Sequence, residues 1–195
     1  MKPELLWRHR RHLVTLKGCI GRRVVAIHRT RYLLNGQPNE IGHGDVEICF
    51  EGGLIVVLSL AADGESVKAK SGSLTALPRV DLVDGAFWAT EVLCVSDAEP
   101  FSNFVGAVLS SVDAVIDRTT AGEYDTLSGW ALHFEDRLLT FVNMGAESRL
   151  ALDVPPSHSG LTTSLEDIGA AEKLRWSTSL TMVRLPGSAA TWSTN

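Results

Sequence analysis

The sequence predicts an α+β, β-rich fold in which two pseudo-symmetric β-meander repeats, at about 16–75 and 101–153, pack into one compact domain with few short helices. Self-similarity is the first observation behind this prediction: Leu16–Ile27 superposes on Phe101–Val112 at an offset of 85, matching Gly21 to Gly106. Apolar residues coincide there at the first, fourth, fifth, ninth and twelfth places. The second observation is another match in the same order, Ile48–Leu58 on Leu132–Val142, at an offset of 84. Two matches whose spacing is preserved to within one residue point to two copies of one unit. The third observation is composition. A chain of 195 residues that is 45% apolar and 21% charged can bury a substantial core, which excludes collagen-like, disordered and membrane-spanning classes.

The chain opens on a basic lead-in, 1–15, where Arg8, His9, Arg10, Arg11 and His12 interrupt any apolar run, so no secretory signal is expected. No segment approaches the roughly 20 apolar residues of a membrane span, and a cytoplasmic protein is expected. In repeat one, Val46, Ile48 and Phe50 alternate with Asp45, Glu47, Cys49 and Glu51, the period of a half-buried strand. A two-residue turn at Gly52-Gly53 leads into Leu54–Leu60, whose continuous apolar run suits a strand covered on both faces. Asp63-Gly64 turns the chain again toward a strand near 65–70. The connector, 76–100, holds Phe87, Trp88 and a strand at Val92–Val95.

Repeat two runs in parallel with this. Trp130, Leu132 and Phe134 alternate with Ala131, His133 and Glu135, Asp136-Arg137 makes the turn, and Leu138–Met144 returns. Gly145-Ala146 leads to Ser148–Asp153. The opening segments leave two alternatives. Phe101, Phe104, Val105, Val108, Leu109, Val112, Val115 and Ile116 share a helical face behind a Ser96/Glu99 capping box, whereas Gly18 and Gly21 disfavour a long helix in the equivalent Leu16–Ile27. A short helical turn ending at Gly21 or Gly106, followed by a strand, satisfies both copies. The C-terminal extension, 154–195, starts at the break Pro155-Pro156, continues through a short helix capped by Ser164, and carries an alternating strand near 173–183.

Signatures for nucleotide binding, zinc proteolysis and serine hydrolysis are absent, and no metal or cofactor is expected. Cys19, Cys49 and Cys94 form no Cys-x-x-Cys pair, so no disulfide framework or zinc knuckle is suggested. The best metal triplet, His43, Asp45 and Glu47, equally describes the solvated face of a strand. His9 and His12 lie among arginines whose charge opposes a cation. Cys49 and His133 occupy equivalent places, and a pseudo-twofold could bring them together as a nucleophile and base.

Charge is divided unevenly along the chain. Residues 1–31 hold nine basic groups against Glu4 alone, a balance of +8, and the remaining residues balance at -13. The leading expectation is a non-catalytic binding protein whose acidic side chains, Asp45, Glu47, Glu51, Glu135 and Asp136, engage a protein partner of unknown identity. In size and acidity it loosely resembles small bacterial immunity proteins that cap a toxin, with no shared motif. The alternative is a small-molecule binder or enzyme with a pocket between the repeats, walled by Trp88, Trp130 and Trp176 with His43 or His133 as the polar group. A further alternative is nucleic-acid binding through the basic N-terminal stretch. The sequence leaves the oligomeric state open.

Overall fold

A computed structural model describes residues 10–39, 44–64, 66–82, 84–118, 125–143, 148–153 and 179–184. The expected helix at 161–171, the turn at Gly145-Ala146 and the break at 155–160 lie outside these residues. Described secondary structure is dominated by antiparallel strands in two sheets. Helix α1 (Arg10–Lys17) leads through a tight turn, with Gly21 at φ +83, into the long strand β1 (Val24–Leu34). A 3-10 turn (Phe101–Phe104), followed by Gly106 at φ +89, leads in the same manner into β8 (Leu109–Arg118). Both segments therefore take a short helical turn followed by a strand. The helical face from Phe101 to Ile116 does not form, and Ser96 accepts the Ile27 N–H instead of capping a helix.

The first sheet takes the order β5-β4-β3-β1-β7-β6, from β3 (Val46–Phe50), β4 (Leu54–Leu60), β5 (Val67–Ser71), β6 (Val80–Asp81) and β7 (Phe87–Cys94). The second takes the order β11-β10-β9-β8-β12, from β9 (Asp125–Phe134), β10 (Arg137–Asn143), β11 (Ser148–Leu152) and β12 (Ser179–Arg184). Strands β4 and β10 lie inside their sheets, and Val56–Ser59 and Leu139–Val142 are buried on both faces, as their continuous apolar runs require. The second hairpin turns at Glu135-Asp136, one residue earlier than expected, because Glu135 takes φ +48 and Arg137 already pairs with Phe134. Of the strand expected near 173–183, residues from Ser179 onward are described, and they pair with β8.

One element has no counterpart in the sequence reading. Asn35 (φ +52) and Gly36 (φ +76) form a two-residue hairpin that folds β2 (Gln37–Asn39) back on the end of β1. Such turns need positive φ at both central residues, which asparagine and glycine supply at low cost.

A single cluster of buried side chains fills the space between the sheets, with Ile27, Ile48, Phe50 and Leu58 from the first and Val112, Trp130, Leu132 and Phe134 from the second. Phe104 packs edge-on against Phe134 with ring centroids 5.5 Å apart. Where the sheets meet, Arg23 and Val108 form an antiparallel bridge. Two pairs of backbone hydrogen bonds flank it: Gly21 N to Leu109 O with Gly106 N to Val24 O, and Val24 N to Ala107 O with Leu109 N to Arg22 O. Among the described residues no helix is long and apolar enough to cross a membrane.

Candidate functional site

The densest group of chemically capable side chains lies on the outer face of the first sheet. In the antiparallel register His28 stands opposite Glu47, and Ala26 opposite Cys49, so His28, Glu47 and Cys49 share one face. His28 Nδ1 lies 2.9 Å from Glu47 Oε1. The Cys49 thiol donates to the same oxygen at 3.4 Å and lies 3.9 Å from His28 Nδ1. Across the other edge of β1, Cys94 stands opposite His28 and is exposed.

Alternation in β3 predicts a solvated Glu47, yet its side chain is only 8% exposed. Part of the cover comes from segment 72–79, a contact that the strand period could not foresee. Its Leu74 N–H donates to Glu47 Oε2 at 2.6 Å, and Leu77 is tied to Thr90 at the other end. The carboxylate is thereby held with one oxygen engaged by backbone and the other turned toward His28 and Cys49. Burial, then the neighbouring Glu47, pushes the Cys49 thiol up to about 11.

At the corresponding place on the second sheet, Asp113 and His133 form a close pair, Oδ2 to Nε2 2.9 Å, while Ser110 Oγ donates to the His133 carbonyl. Cys49 and His133 thus each find polar partners within their own sheets, and the expected Cys49–His133 pair does not form. Of the triplet His43, Asp45 and Glu47, His43 lies outside the described residues; the Asp45 backbone N–H donates to Thr30 Oγ1 and its carbonyl accepts from the Thr30 N–H, while the Glu47 carboxylate turns to His28. Burial raises the Asp45 pKa, against the lowering effects of Lys70, the Leu60 N–H and Lys68. His12 is buried and bonded to the Ala69 carbonyl at 2.8 Å.

Among the carboxylates expected to face a partner, Glu51, Glu135 and Asp136 are exposed at the two hairpin turns, Asp45 is half-buried and Glu47 is buried. Two of the basic groups near the N-terminus are neutralised within the chain: Arg23 pairs with Glu51, and Arg31 with Glu91. Of the tryptophans, Trp130 is fully buried, opposite Phe141 and Ala114, so it belongs to the core and not to a pocket wall. Trp88 is half-buried, and Trp176 lies outside the described residues.

Trp88 belongs to a second surface feature. Leu34 stands opposite it on β1 and Val80 opposite it on β6, giving an apolar row across three strands. Leu34 is 42% and Val80 40% exposed, with Leu77 and Leu82 also exposed. On the opposite face of β6 and β7, Arg79 lies over the Phe87 ring at 3.9 Å and pairs with Asp81.

No protein-family model matches the chain, and neither a curated protein nor a solved structure shows significant similarity to it. Neither His28 nor Leu34 belongs to a motif in the sequence. His28 falls opposite Asp113 at the 85-residue offset just as Cys49 falls opposite His133 at 84, a coincidence of polar positions that was available as a signal. Leu34 immediately precedes the Asn-Gly turn, which marks the hairpin.

Proposed function

We propose that the protein is a non-catalytic binding protein that engages a protein partner, on a scaffold made of two copies of one five-stranded unit. The row Leu34, Trp88 and Val80 carries the partner reading. Partly exposed apolar side chains aligned across three strands of a sheet have the makeup of an interaction surface, with tryptophan as its anchor. The acidic turn at Glu135-Asp136 adds a field that speeds encounter with a basic partner.

The two-copy scaffold is supported by registers that repeat. Val24 pairs with Phe50, a bulge follows, and Ala26 pairs with Cys49; Leu109 pairs with Phe134, a bulge follows, and Ser111 pairs with His133. Val56 pairs with Ser71 and Leu60 with Val67, as Leu139 pairs with Leu152 and Asn143 with Ser148. Strands β7 and β12 flank β1 and β8 alike, which extends each unit beyond the two meanders to a fifth strand. The reciprocal hydrogen bonds around Arg23 and Val108 are those of a local twofold.

The test is capture from the native host by the immobilised full chain, comparing wild type with Leu34→Asp and Val80→Asp, each checked for folding by circular dichroism. A stoichiometric protein partner held by wild type and lost from both variants is expected. Equal capture by the variants, or no stoichiometric partner at low or high salt, overturns the reading.

A further inference from the structure

We propose that His28, Glu47 and Cys49 form a three-ligand site for a divalent transition-metal ion of the zinc type, with a fourth coordination position left open. The donor set is one imidazole nitrogen, one carboxylate oxygen and one thiol sulfur, the mixture that suits zinc and excludes magnesium and calcium, which take oxygen ligands. The observed separations are 2.9 Å between Nδ1 and Oε1, 3.4 Å between Sγ and Oε1, and 3.9 Å between Sγ and Nδ1. A tetrahedral ion with bonds of about 2.0 Å to nitrogen and oxygen and 2.3 Å to sulfur sets these at about 3.3 to 3.6 Å. Rotations of about half an ångström or less at the side-chain ends therefore bring all three donors onto one ion.

The surroundings favour that role. The three donor atoms all lie within 4.8 Å of one another, on two adjacent strands whose register is fixed by the buried Ile27 and Ile48 between them. Leu74 N–H holds Glu47 Oε2, the kind of outer hydrogen bond that orients a ligating carboxylate. Binding breaks the Cys49 S–H bond, releases that proton to solvent and forms the metal–sulfur bond, so the carboxylate and thiolate together balance the charge of the ion. Cys94 is exposed on the neighbouring strand and is not required as a ligand.

The experiment uses the full chain, stripped with a chelator and titrated with Co2+ and then Zn2+. Expected results are binding of one ion per chain, a near-ultraviolet thiolate-to-cobalt charge-transfer band, intense visible bands of tetrahedral cobalt, and bleaching of both by Zn2+. Cys49→Ser removes the charge-transfer band, and His28→Ala and Glu47→Gln each weaken Zn2+ binding by at least about tenfold. Cys94→Ser keeps the band and the affinity. Absence of stoichiometric binding to the wild-type chain overturns the proposal, and so does wild-type affinity in Cys49→Ser together with His28→Ala. Loss of the band in Cys94→Ser with retention in Cys49→Ser does the same. Circular dichroism of each stripped variant separates loss of ligand from loss of fold.

Discussion

Asp113 and His133 meet diagonally across β8 and β9, Oδ2 to Nε2 2.9 Å, with side chains only 6% and 14% exposed. Their backbone positions correspond to those of His28 and Cys49 on the first sheet, where the same diagonal carries a sulfur and an imidazole. Removing one member of such a pair leaves the other buried without its partner. Asp113→Ala is expected to destabilise the fold by about 3 kcal/mol. In urea denaturation the double variant with His133→Ala should cost less than the two single losses added together. Additive losses would mean that the pair is not energetically coupled.

Gly129 and Gly53 make contrasting demands on a side chain. A Cβ on Gly129 would stand 2.5 Å from the Phe141 carbonyl oxygen and 2.6 Å from Val142 Cγ1, in the middle of β9 and against the adjoining strand. Backbone in a sheet interior has little room to retreat, so Gly129→Ala is expected to cost about 2 kcal/mol or more. Gly53 has no neighbouring atom within 4 Å, and its only constraint is φ +75. Gly53→Ala should cost about 1 kcal/mol, and Gly53→Asn less. Thermal melts of the three variants check the order.

His12 gives stability a dependence on pH. Burial is the main influence lowering its pKa below 6.5, opposed by the hydrogen bond to Ala69 and reinforced by Arg11 and Lys68. The unfolded chain then binds a proton more readily than the folded one. This contribution is fully present above about pH 6.5 and is lost as pH falls from there through the lowered folded value. His12→Gln should flatten the slope of unfolding free energy against pH in that window. An unchanged slope would assign it to other groups.

Much of the β-rich fold was legible because period-two alternation is a local signal. Val46, Ile48 and Phe50 face the core as the pattern demands, and Gly52 and Gly53 take positive φ, in a turn of three residues that includes Glu51 where two were expected. What alternation cannot encode is a segment from elsewhere in the chain lying over the outer face. The strap at 72–79 turns Glu47 from a solvated carboxylate into a buried one. The helical periodicity of Phe101–Ile116 left two alternatives open because a strand buried on both faces, as Ser111–Val115 is, can also place apolar residues at helical spacing. His28 became a site residue only through register, since its partners Glu47 and Cys49 are about twenty residues away in sequence and adjacent across β1 and β3.

The two hairpin turns offer a direct test of the repeated scaffold. Phe50 and Leu54 pair around the three residues Glu51-Gly52-Gly53, whereas Phe134 and Arg137 pair around the two residues Glu135-Asp136. If the units are equivalent, the shorter turn should serve in the first as well. Replacing Glu51-Gly52-Gly53 by Asn-Gly supplies the positive φ at both positions that a two-residue hairpin needs and leaves Phe50 opposite Leu54. The replacement removes the Arg23–Glu51 pair, but both side chains are more than half exposed, so its loss contributes little. A net cost below about 1 kcal/mol is expected, with an unchanged near-ultraviolet spectrum. A slip of one residue in β3 would instead turn Val46, Ile48 and Phe50 away from the core and cost several times that figure. Denaturant titration of the shortened chain distinguishes the two outcomes, and the larger loss would mean that the turns are not interchangeable.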